Sequence, residues 1–580
     1  MFTGLRLANF KSLGEPAALA LGPLTLLCGP NSSGKSSVLQ ALLLLGQSTS
    51  GRYSSDQLQL NGVLVELGTF DEVVYRGEKR RIGLGLDFVS DPRTSAPATQ
   101  RSLAMHSVKA TVEGSIDLEF SQAPSTSGTA STARLERLRF TARTERDDQA
   151  ELVVTRRRGR PPVRHLPPAV GPAGVVSNHD YVIQVSTTVV RSGEEPAPAT
   201  LPPEVVAYSV LGVELQGVVP QFLWASYNPV ARHLDRVLRE ALRLPSISTR
   251  LLEQLRGSDS WGALIEFWSD AQVREILGPP PSSADDAAEK LRATRPSARP
   301  LARSLLTSFV SRVERREGGQ RAYERRPLPS LLEIASEALT RELSGIRHLG
   351  PLRQPPRAFH SLPTSGDPLS VGGAGEYTAA VLSRRGSEPV RFEEEGQIVE
   401  APLASAVNHW LGFLRVHSEV QASEFGKIGH FVGVTDESLP RYLDLTQVGV
   451  GMSQILPVLV QCLIAPTGSS VVLEQPELHL HPAVQSRLAH FLLSVSRAGR
   501  LILCETHSEY LVNRLRILIA QDKALYGHDL RVYFTERFQG LTSVQEVVLG
   551  PGTSIPNWPS GFFDQSVEDA SELLAAQLGR

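Results

Sequence analysis

The chain has 580 residues, 41% hydrophobic and 21% charged, with a net charge of −2. That length allows several domains and a sizeable core, and the near-zero charge excludes a global field pulling the chain onto nucleic acid or membrane. The three cysteines, Cys28, Cys462 and Cys504, each lie in an apolar run without metal spacing. They read as buried thiols of a reducing cytoplasm.

The first residues carry no basic segment followed by a long apolar one, so they do not read as a signal peptide. No apolar run approaches the ~20 residues of a membrane helix. Residues 4–10 alternate apolar and polar, the pattern of a half-buried strand. Asn9-Phe10-Lys11-Ser12 turns into a second strand, Pro23 to Cys28, and then into Gly29-Pro30-Asn31-Ser32-Ser33-Gly34-Lys35-Ser36-Ser37. This is G-x-x-x-x-G-K-[ST] between an apolar run and a helix, Val38 to Leu45, the context a phosphate-binding loop needs. Its glycines let backbone N–H groups turn onto phosphate oxygens, and the helix N-terminus adds partial positive charge. Lys35 is expected to reach the β- and γ-phosphates and the Ser36 hydroxyl to ligate Mg²⁺. The whole run from Gly29 through Asn31, Ser32, Ser33 and Gly34 to Ser37 is the candidate ATP site.

Residues 46–56 are polar, and 58–72 read as short strands with tight turns, with Gln57 and Gln59 close by but neither assignable as a γ-phosphate-reporting glutamine. From 82 to 220 come Val- and Thr-rich alternations: Ile82 to Phe88, Leu118 to Phe120, Leu152 to Val154, Tyr181 to Val185. These predict strands separated by Ser/Thr/Ala/Pro-rich loops at 90–99, 121–133 and 192–204. Helical spacing follows at 231–244, 251–255, 261–277 and 331–346, interrupted from Gly278 to about 300. Heptads are absent, which argues against coiled-coil arms. Residues 347–400 read as loops and short strands, Ala401 to Leu414 as a helix carrying Trp410, and 416–445 as strands. The boundaries so drawn are 1–85, 86–220, 221–345, 346–445 and 446–580.

The last block holds three further stretches. Val448-Gly449-Val450-Gly451-Met452-Ser453-Gln454 is a Gly-rich turn opening a helix, where Gly449, Gly451, Ser453 and Gln454 form a candidate phosphate contact; a plain helix start capped by Ser453 is the alternative. Ser469 to Leu473 is an apolar strand tipped by Glu474-Gln475-Pro476-Glu477-Leu478-His479-Leu480-His481-Pro482. Acids at such a tip suit Mg²⁺-nucleotide chemistry, with Glu474, Gln475 and Glu477 as candidates. His479 and His481 read as turn or packing residues, because no third metal ligand accompanies them. Arg500 to Cys504 is another apolar strand, ending in Glu505-Thr506-His507-Ser508, with His507 placed to sense a γ-phosphate.

Together these stretches resemble the ABC-like ATPases of the SMC/RecF/OLD group, and within it a family of bacterial ATPases that includes the ATPase subunit of the Septu antiphage system. The residues 558–564, Trp-Pro-Ser-Gly-Phe-Phe-Asp, add to the resemblance. It implies an α/β, ABC-type ATPase head with a P-loop mixed sheet flanked by helices, assembled from both chain ends around a long β-rich and then helical insertion. It implies ATP and Mg²⁺ as cofactors, sandwiched between two heads of a homodimer or higher homo-oligomer. Lys35 and Ser36 then bind phosphate and Mg²⁺, Glu474 takes the Mg²⁺-associated acid position, Ser453 meets the opposite ATP, and His507 is the switch histidine. Gln475 stands where many relatives keep a catalytic glutamate; Gln orients water but is a poor base, which predicts slow hydrolysis.

No D-x-D follows His507 and no nuclease constellation is visible, so nucleic-acid cutting falls to a partner such as an HNH nuclease. Two Arg clusters are candidate nucleic-acid contacts. One is Arg156, Arg157, Arg158 and Arg160 with Arg164. The other runs from Arg312 to Arg326 and, alternating with Glu314, Glu317 and Glu324, reads as a solvated helix face. Three functions stay open: a regulatory subunit of an antiphage complex, a RecF-like DNA-repair ATPase, and a nucleotide-gated scaffold with little turnover.

Overall fold

The structure is a computed structural model. It describes all residues except 51–55, 76–80, 91–110, 124–131, 163, 165, 167–174, 189–208, 235–258, 316–320, 361–369, 417–418, 427–428, 437–438, 522–528, 549–564 and 578–580. The stretch 558–564 singled out above lies outside the described residues, as do Arg316 and most of the predicted Ser/Thr/Ala/Pro-rich loops.

Two compact units divide the chain. One comprises 1–140, 216–219 and 334–580, the other 141–215 and 220–333. In the first, the elements used below are β1 (Phe2–Ala8), β2 (Ala17–Ala20), β3 (Leu24–Cys28), α1 (Lys35–Ser50), β4 (Arg81–Ser90) and β5 (Val112–Gln122). After the second unit's residues come β6 (Arg347–Leu349), β7 (Phe359–His360), α2 (Thr378–Arg385), α3 (Leu403–Leu414), β8 (Glu419–Phe425), β9 (Gly429–Asp436) and β10 (Leu439–Asp444). The last are α4 (Val450–Ile464), β11 (Ser470–Glu474), α5 (Pro482–Arg497), β12 (Leu501–Glu505), α6 (Glu509–Gln521), β13 (Leu530–Phe538) and β14 (Leu541–Glu546).

The sheet that positions the site has the order β6-β11-β12-β3-β13-β14. Its first five strands are parallel, and β14 returns antiparallel as a hairpin partner of β13. Both β3 and β12 are buried at every residue. Parallel strands covered on both faces read as unbroken apolar runs, which is how these two were visible in the sequence. β3 sits at the centre, between β12 and β13, so the middle strand comes from the start of the chain and its neighbours from the last fifth. Leu24, Leu26 and Cys28 share one core with Val471, Leu473, Ile502, Cys504, Val532 and the inner faces of α3, α4 and α5. All three cysteines are buried and unpaired; burial pushes the Cys462 thiol up to about 12 and those of Cys28 and Cys504 further in the same direction.

A separate antiparallel sheet orders β2-β1-β4-β5. A third packs β7, β8 and β10 around β9. The helix predicted at Ala401 to Leu414 is α3, and Trp410 is buried in it.

In the second unit, Gln149–Arg156 and Tyr181–Thr188 form a ladder of eight residue pairs. Ala322–Pro327, Val219–Tyr227, Ser209–Gln216 and Val175–Ser177 form a further sheet. A helical cluster buries Leu234, Leu264, Phe267, Trp268, Leu306 and Phe309. Three expectations need correction here. The predicted helix 261–277 is two, Asp259–Ser269 and Ala271–Leu277, because the Asp270 side chain accepts from Gln272 N at 3.0 Å and caps the second. The supposed interruption from 278 to 300 contains the helix Ala284–Ala293, whose start is capped by Ser283 Oγ accepting from Asp286 N at 3.1 Å. The second Arg cluster is not one helix face: Arg312 and Arg315 end a helix, whereas Arg325 and Arg326 lie on the strand Ala322–Pro327. There the Arg325 guanidinium stacks over Phe222, 3.5 Å from its ring centre, and forks onto both Glu214 carboxylate oxygens at 2.8 and 2.9 Å. Those contacts commit Arg325 to the fold.

Candidate nucleotide site

In open α/β sheets, ligands bind beyond the carboxyl ends of the parallel strands. Four such ends meet here. β3 ends at Cys28 and releases Gly29–Gly34 into α1; β11 ends at Glu474, β12 at Glu505 and β6 at Leu349. Register fixes their relation: Glu474 is the Cα partner of Glu505, and Glu505 that of Leu27. The two acids stand side by side at adjacent strand tips, next to the strand that delivers the loop.

The loop has the conformation its glycines permit. Gly29 has φ 142° and Gly34 φ 103°. A Cβ on Gly29 would collide with the Thr535 carbonyl, and one on Gly34 would lie 2.5 Å from Thr542 Oγ1. Ser32 also takes a positive φ, 61°. The β13–β14 hairpin braces the loop from one side: Ser33 Oγ and Thr535 Oγ1 share a hydrogen bond of 2.5 Å, and Thr542 Oγ1 donates to the Ser33 carbonyl at 2.8 Å. Asn31 and Ser32 are exposed along the loop's outer edge, and Ser37 is buried in the first turn of α1, its N–H donating to the Gly34 carbonyl at 3.0 Å.

Lys35 is 3% exposed, and its ammonium donates to the Gly29 and Pro30 carbonyls at 3.0 and 2.7 Å. Desolvation lowers its pKa, with Glu505 and Glu477 opposing. Ser36 Oγ donates to Glu505 Oε2 at 2.8 Å. Burial, and then the neighbouring Glu474 and Glu477 charges, raise the Glu505 pKa against the pull of Ser36 and Lys35.

The remaining strand-tip groups are held by contacts that no motif announced. Glu474 Oε1 pairs with His348 Nε2 at 2.8 Å, from β6. Arg353 donates to the Glu474 carbonyl at 3.1 Å and to the Gln475 carbonyl at 2.9 Å. Burial lowers the Arg353 pKa to about 10 although Glu477 supports its charge. Gln475 itself sits at φ 45°, with its N–H donating to the Glu505 carbonyl at 2.8 Å. Glu477 is 6% exposed; its Oε1 accepts from the His507 N–H at 2.7 Å and burial raises its pKa. The His507 ring lies 4.0 Å from Glu505 Oε1, and desolvation, then Lys35, lower its pKa. Glu474, Gln475, Glu477, His507, Lys35 and Ser36 therefore form one cluster, joined by Glu505, His348 and Arg353. The signal for Glu505 was present in the sequence, as an acid closing an apolar strand; His348 and Arg353 depend on a strand pairing that periodicity does not reveal.

The Gly-rich turn behaves differently. Gly449, not Ser453, is the N-cap of α4. Ser453 is 7% exposed and donates to the Val450 carbonyl at 2.8 Å, while Gln454 Nε2 reaches Ser453 Oγ at 3.4 Å. Gly449 and Val450 are exposed and Gly451 half-buried. Among the described residues, no hydrogen bond joins this turn to the Lys35 cluster. His481 accepts from Ala483 N at 3.2 Å and caps α5, the turn role expected of it.

Hard oxygen donors suit Mg²⁺, which in nucleotide sites takes one or two protein ligands besides phosphate and water. The Ser36 hydroxyl and the strand-tip carboxylates are such donors. The site lies on a mixed sheet flanked by helices and built from both chain ends. Residues 1–146 match a family described as "AAA ATPase domain", and residues 411–513 one described as "AAA domain, putative AbiEii toxin, Type IV TA system". These matches support nucleotide binding and ATPase activity of the broad AAA kind. No curated protein matches the chain. Solved structures similar to it include an SMC head bound to the C-terminal winged-helix domain of ScpA (9% identity, 94% of this chain and 98% of that one, TM-score 0.33) and the SMC head domain from Thermotoga maritima (9%, 94% and 98%, 0.32). A third is an Smc head with an extended coiled coil bound to the C-terminal domain of ScpA, from Pyrococcus furiosus (10%, 99% and 99%, 0.32). Likeness at that level transfers no residue's role.

Among the described residues, no helix is long and apolar enough to cross a membrane.

Proposed function

We propose that the chain is an ATP-binding, slowly hydrolysing ABC-like ATPase that serves as the regulatory subunit of a bacterial antiphage complex and controls a partner nuclease. The observation that carries the ATPase reading is the bond from Ser36, on the phosphate loop, to Glu505 at the tip of β12, with Glu474 its register partner at the tip of β11. In this reading the loop amides from Gly29 to Ser37 cradle the phosphates and Lys35 leaves the Gly29 and Pro30 carbonyls for the β- and γ-oxygens. Ser36 and a strand-tip acid hold Mg²⁺, Glu474 being the acid in the position the resemblance implies. Mg²⁺, when bound, neutralises charge on the bridged phosphate oxygens. Gln475 and Glu477 flank the attacking water and His507 senses the γ-phosphate. Gly449, Gly451, Ser453 and Gln454 close the ATP of a second head, so that ATP holds a cytoplasmic homodimer.

The antiphage assignment and the HNH-type nuclease as partner both rest on the resemblance of the four motifs. Arg158 and Arg160 are exposed and are the members of the first Arg cluster offered to nucleic acid; Arg157 Nη2 already donates to the Tyr181 carbonyl at 3.4 Å. The scaffold reading stays alongside, favoured by Gln475 in the base position.

Lys35→Ala tests the reading. Loss of charge-assisted bonds worth about 1.5–3 kcal/mol should weaken ATP binding by roughly 10–100-fold. The wild type should double its mass in ATP but not in ADP, and the variant should not. Equal ATP affinity in both proteins sinks the site; a mass indifferent to nucleotide sinks the sandwiched dimer. Co-purification of a nuclease that is released on Lys35→Ala supports control by nucleotide, whereas unchanged retention favours the scaffold.

A further inference from the structure

We propose that Glu505, at the tip of β12, is the carboxylate that ligates Mg²⁺ directly beside Ser36, and that Glu474 serves it from the second sphere. The proposal rests on the ATP-binding reading above and changes which acid meets the ion.

Three observations point to Glu505. The first is distance. Ser36 Oγ and Glu505 Oε2 are 2.8 Å apart. Mg²⁺ takes octahedral oxygen ligands at about 2.0–2.1 Å, so neighbouring ligands are separated by about 2.9 Å, the edge of the octahedron. The two oxygens already stand at that spacing. The second is commitment. Glu474 Oε1 is taken by His348 at 2.8 Å, on the side of β11 that faces β6, and its backbone carbonyl by Arg353 at 3.1 Å. The third is burial. The Glu505 side chain is 5% exposed; the Lys35 charge favours its ionised form, and the His507 ring lies 4.0 Å away. Lys35 donates to loop carbonyls instead. A buried carboxylate whose one side-chain hydrogen bond among the described residues comes from a neutral hydroxyl is costly unless a cation completes the site. A bound ion would supply that charge, between the two strand-tip acids and the phosphates.

Division of labour follows. Glu505 and Ser36 provide two adjacent protein ligands, the nucleotide provides phosphate oxygens, and water fills the rest. Glu474, oriented by His348, accepts a hydrogen bond from a coordinated water, as outer-shell carboxylates do in metal sites. Loss of a direct ligand should therefore cost more metal affinity than loss of Glu474.

The test uses full-length protein, with Mn²⁺ as the spectroscopic probe and a fluorescent ATP analogue for nucleotide. Binding of the analogue in EDTA reads the loop alone. Mn²⁺ affinity of the ATP-analogue complex, measured by electron paramagnetic resonance, reads the metal site. Glu505→Gln should keep metal-free nucleotide binding within about twofold and weaken Mn²⁺ at least about tenfold, whereas Glu474→Gln should weaken it by less than about threefold. If Glu505→Gln leaves Mn²⁺ affinity within about threefold while Glu474→Gln lowers it at least about tenfold, the assignment is overturned. Wild-type protein that binds no nucleotide in EDTA or in Mn²⁺ overturns the ATP-binding reading itself. Retained metal-free binding in both variants shows that each remains folded.

Discussion

A guanidinium only 8% exposed, donating to three main-chain carbonyls, acts as a splint. Arg353 ties the residues before and after the β11 tip to the loop that follows β6. It holds the turn in which Gln475 sits in the left-handed region. Arg353→Leu removes all three bonds and leaves the carbonyls and Glu477 without their cation. Bonds from a charged donor are worth about 1.5–3 kcal/mol each, so a loss near 3 kcal/mol is expected, seen as a lower melting temperature. Arg353→Lys should recover part of it, because an ammonium reaches one carbonyl at a time. A leucine variant that melts with the wild type would show that the splint is dispensable. At the neighbouring position, Gln475→Glu restores a group able to take a proton from water. General-base catalysis contributes on the order of 10²–10⁴-fold, so turnover should rise at least about tenfold and the proposed ATP-bound dimer should be shorter-lived. Unchanged turnover in Gln475→Glu, together with its loss in Glu477→Gln, would move the base to Glu477.

At the scale of elements, the sheet around β9 sets two histidines in register: His360 on β7 is the Cα partner of His430. His430 is fully buried, its Nδ1 bonded to Ser383 Oγ at 2.7 Å, and desolvation lowers its pKa against the pull of Glu424, with Arg384 adding to the lowering. His360 is lowered by desolvation, then by Arg357 and by His430 itself. A folded pKa below the unfolded one means that the neutral ring is favoured by folding. The stability so gained is complete above the ordinary histidine value of 6.5 and is lost as pH falls through the depressed values. The melting temperature should therefore fall between pH 7.5 and 5, and more gently in His430→Gln, which accepts a hydrogen bond but cannot charge. Parallel slopes in the two proteins would exclude the pair as a cause.

Elements also explain what the sequence made legible. The phosphate loop and β3, β11 and β12 were readable because a parallel strand buried on both faces is an apolar run, and a loop that must bend around phosphate needs glycine at fixed places. Helix Ala284–Ala293 was missed because the prolines at 279–281 dominated the local pattern while the capping Ser283 went unread. The contacts of Ser36 with Glu505, His348 with Glu474 and Arg353 with Gln475 span 469, 126 and 122 residues. Periodicity is a short-range signal and carries nothing across such separations.

On the scale of the whole molecule, the unit that carries the loop draws on both ends of the sequence, with 141–215 and 220–333 compacted into a unit of their own. The central position of β3 has a consequence for how the protein is made. A ribosome releases β3 early, when neither of its lateral partners exists. β12 arrives only with residue 501 and β13 with residue 530. Until then, five fully buried-type residues present two bare hydrogen-bonding edges, the feature that invites pairing with other chains. The site is incomplete during that interval, because Thr535 and Thr542 have yet to brace the loop and Glu505 has yet to face Ser36. The complete site thus exists only once residues 501–546 have been made, so a chain that has passed them is the earliest species in which all of its parts meet.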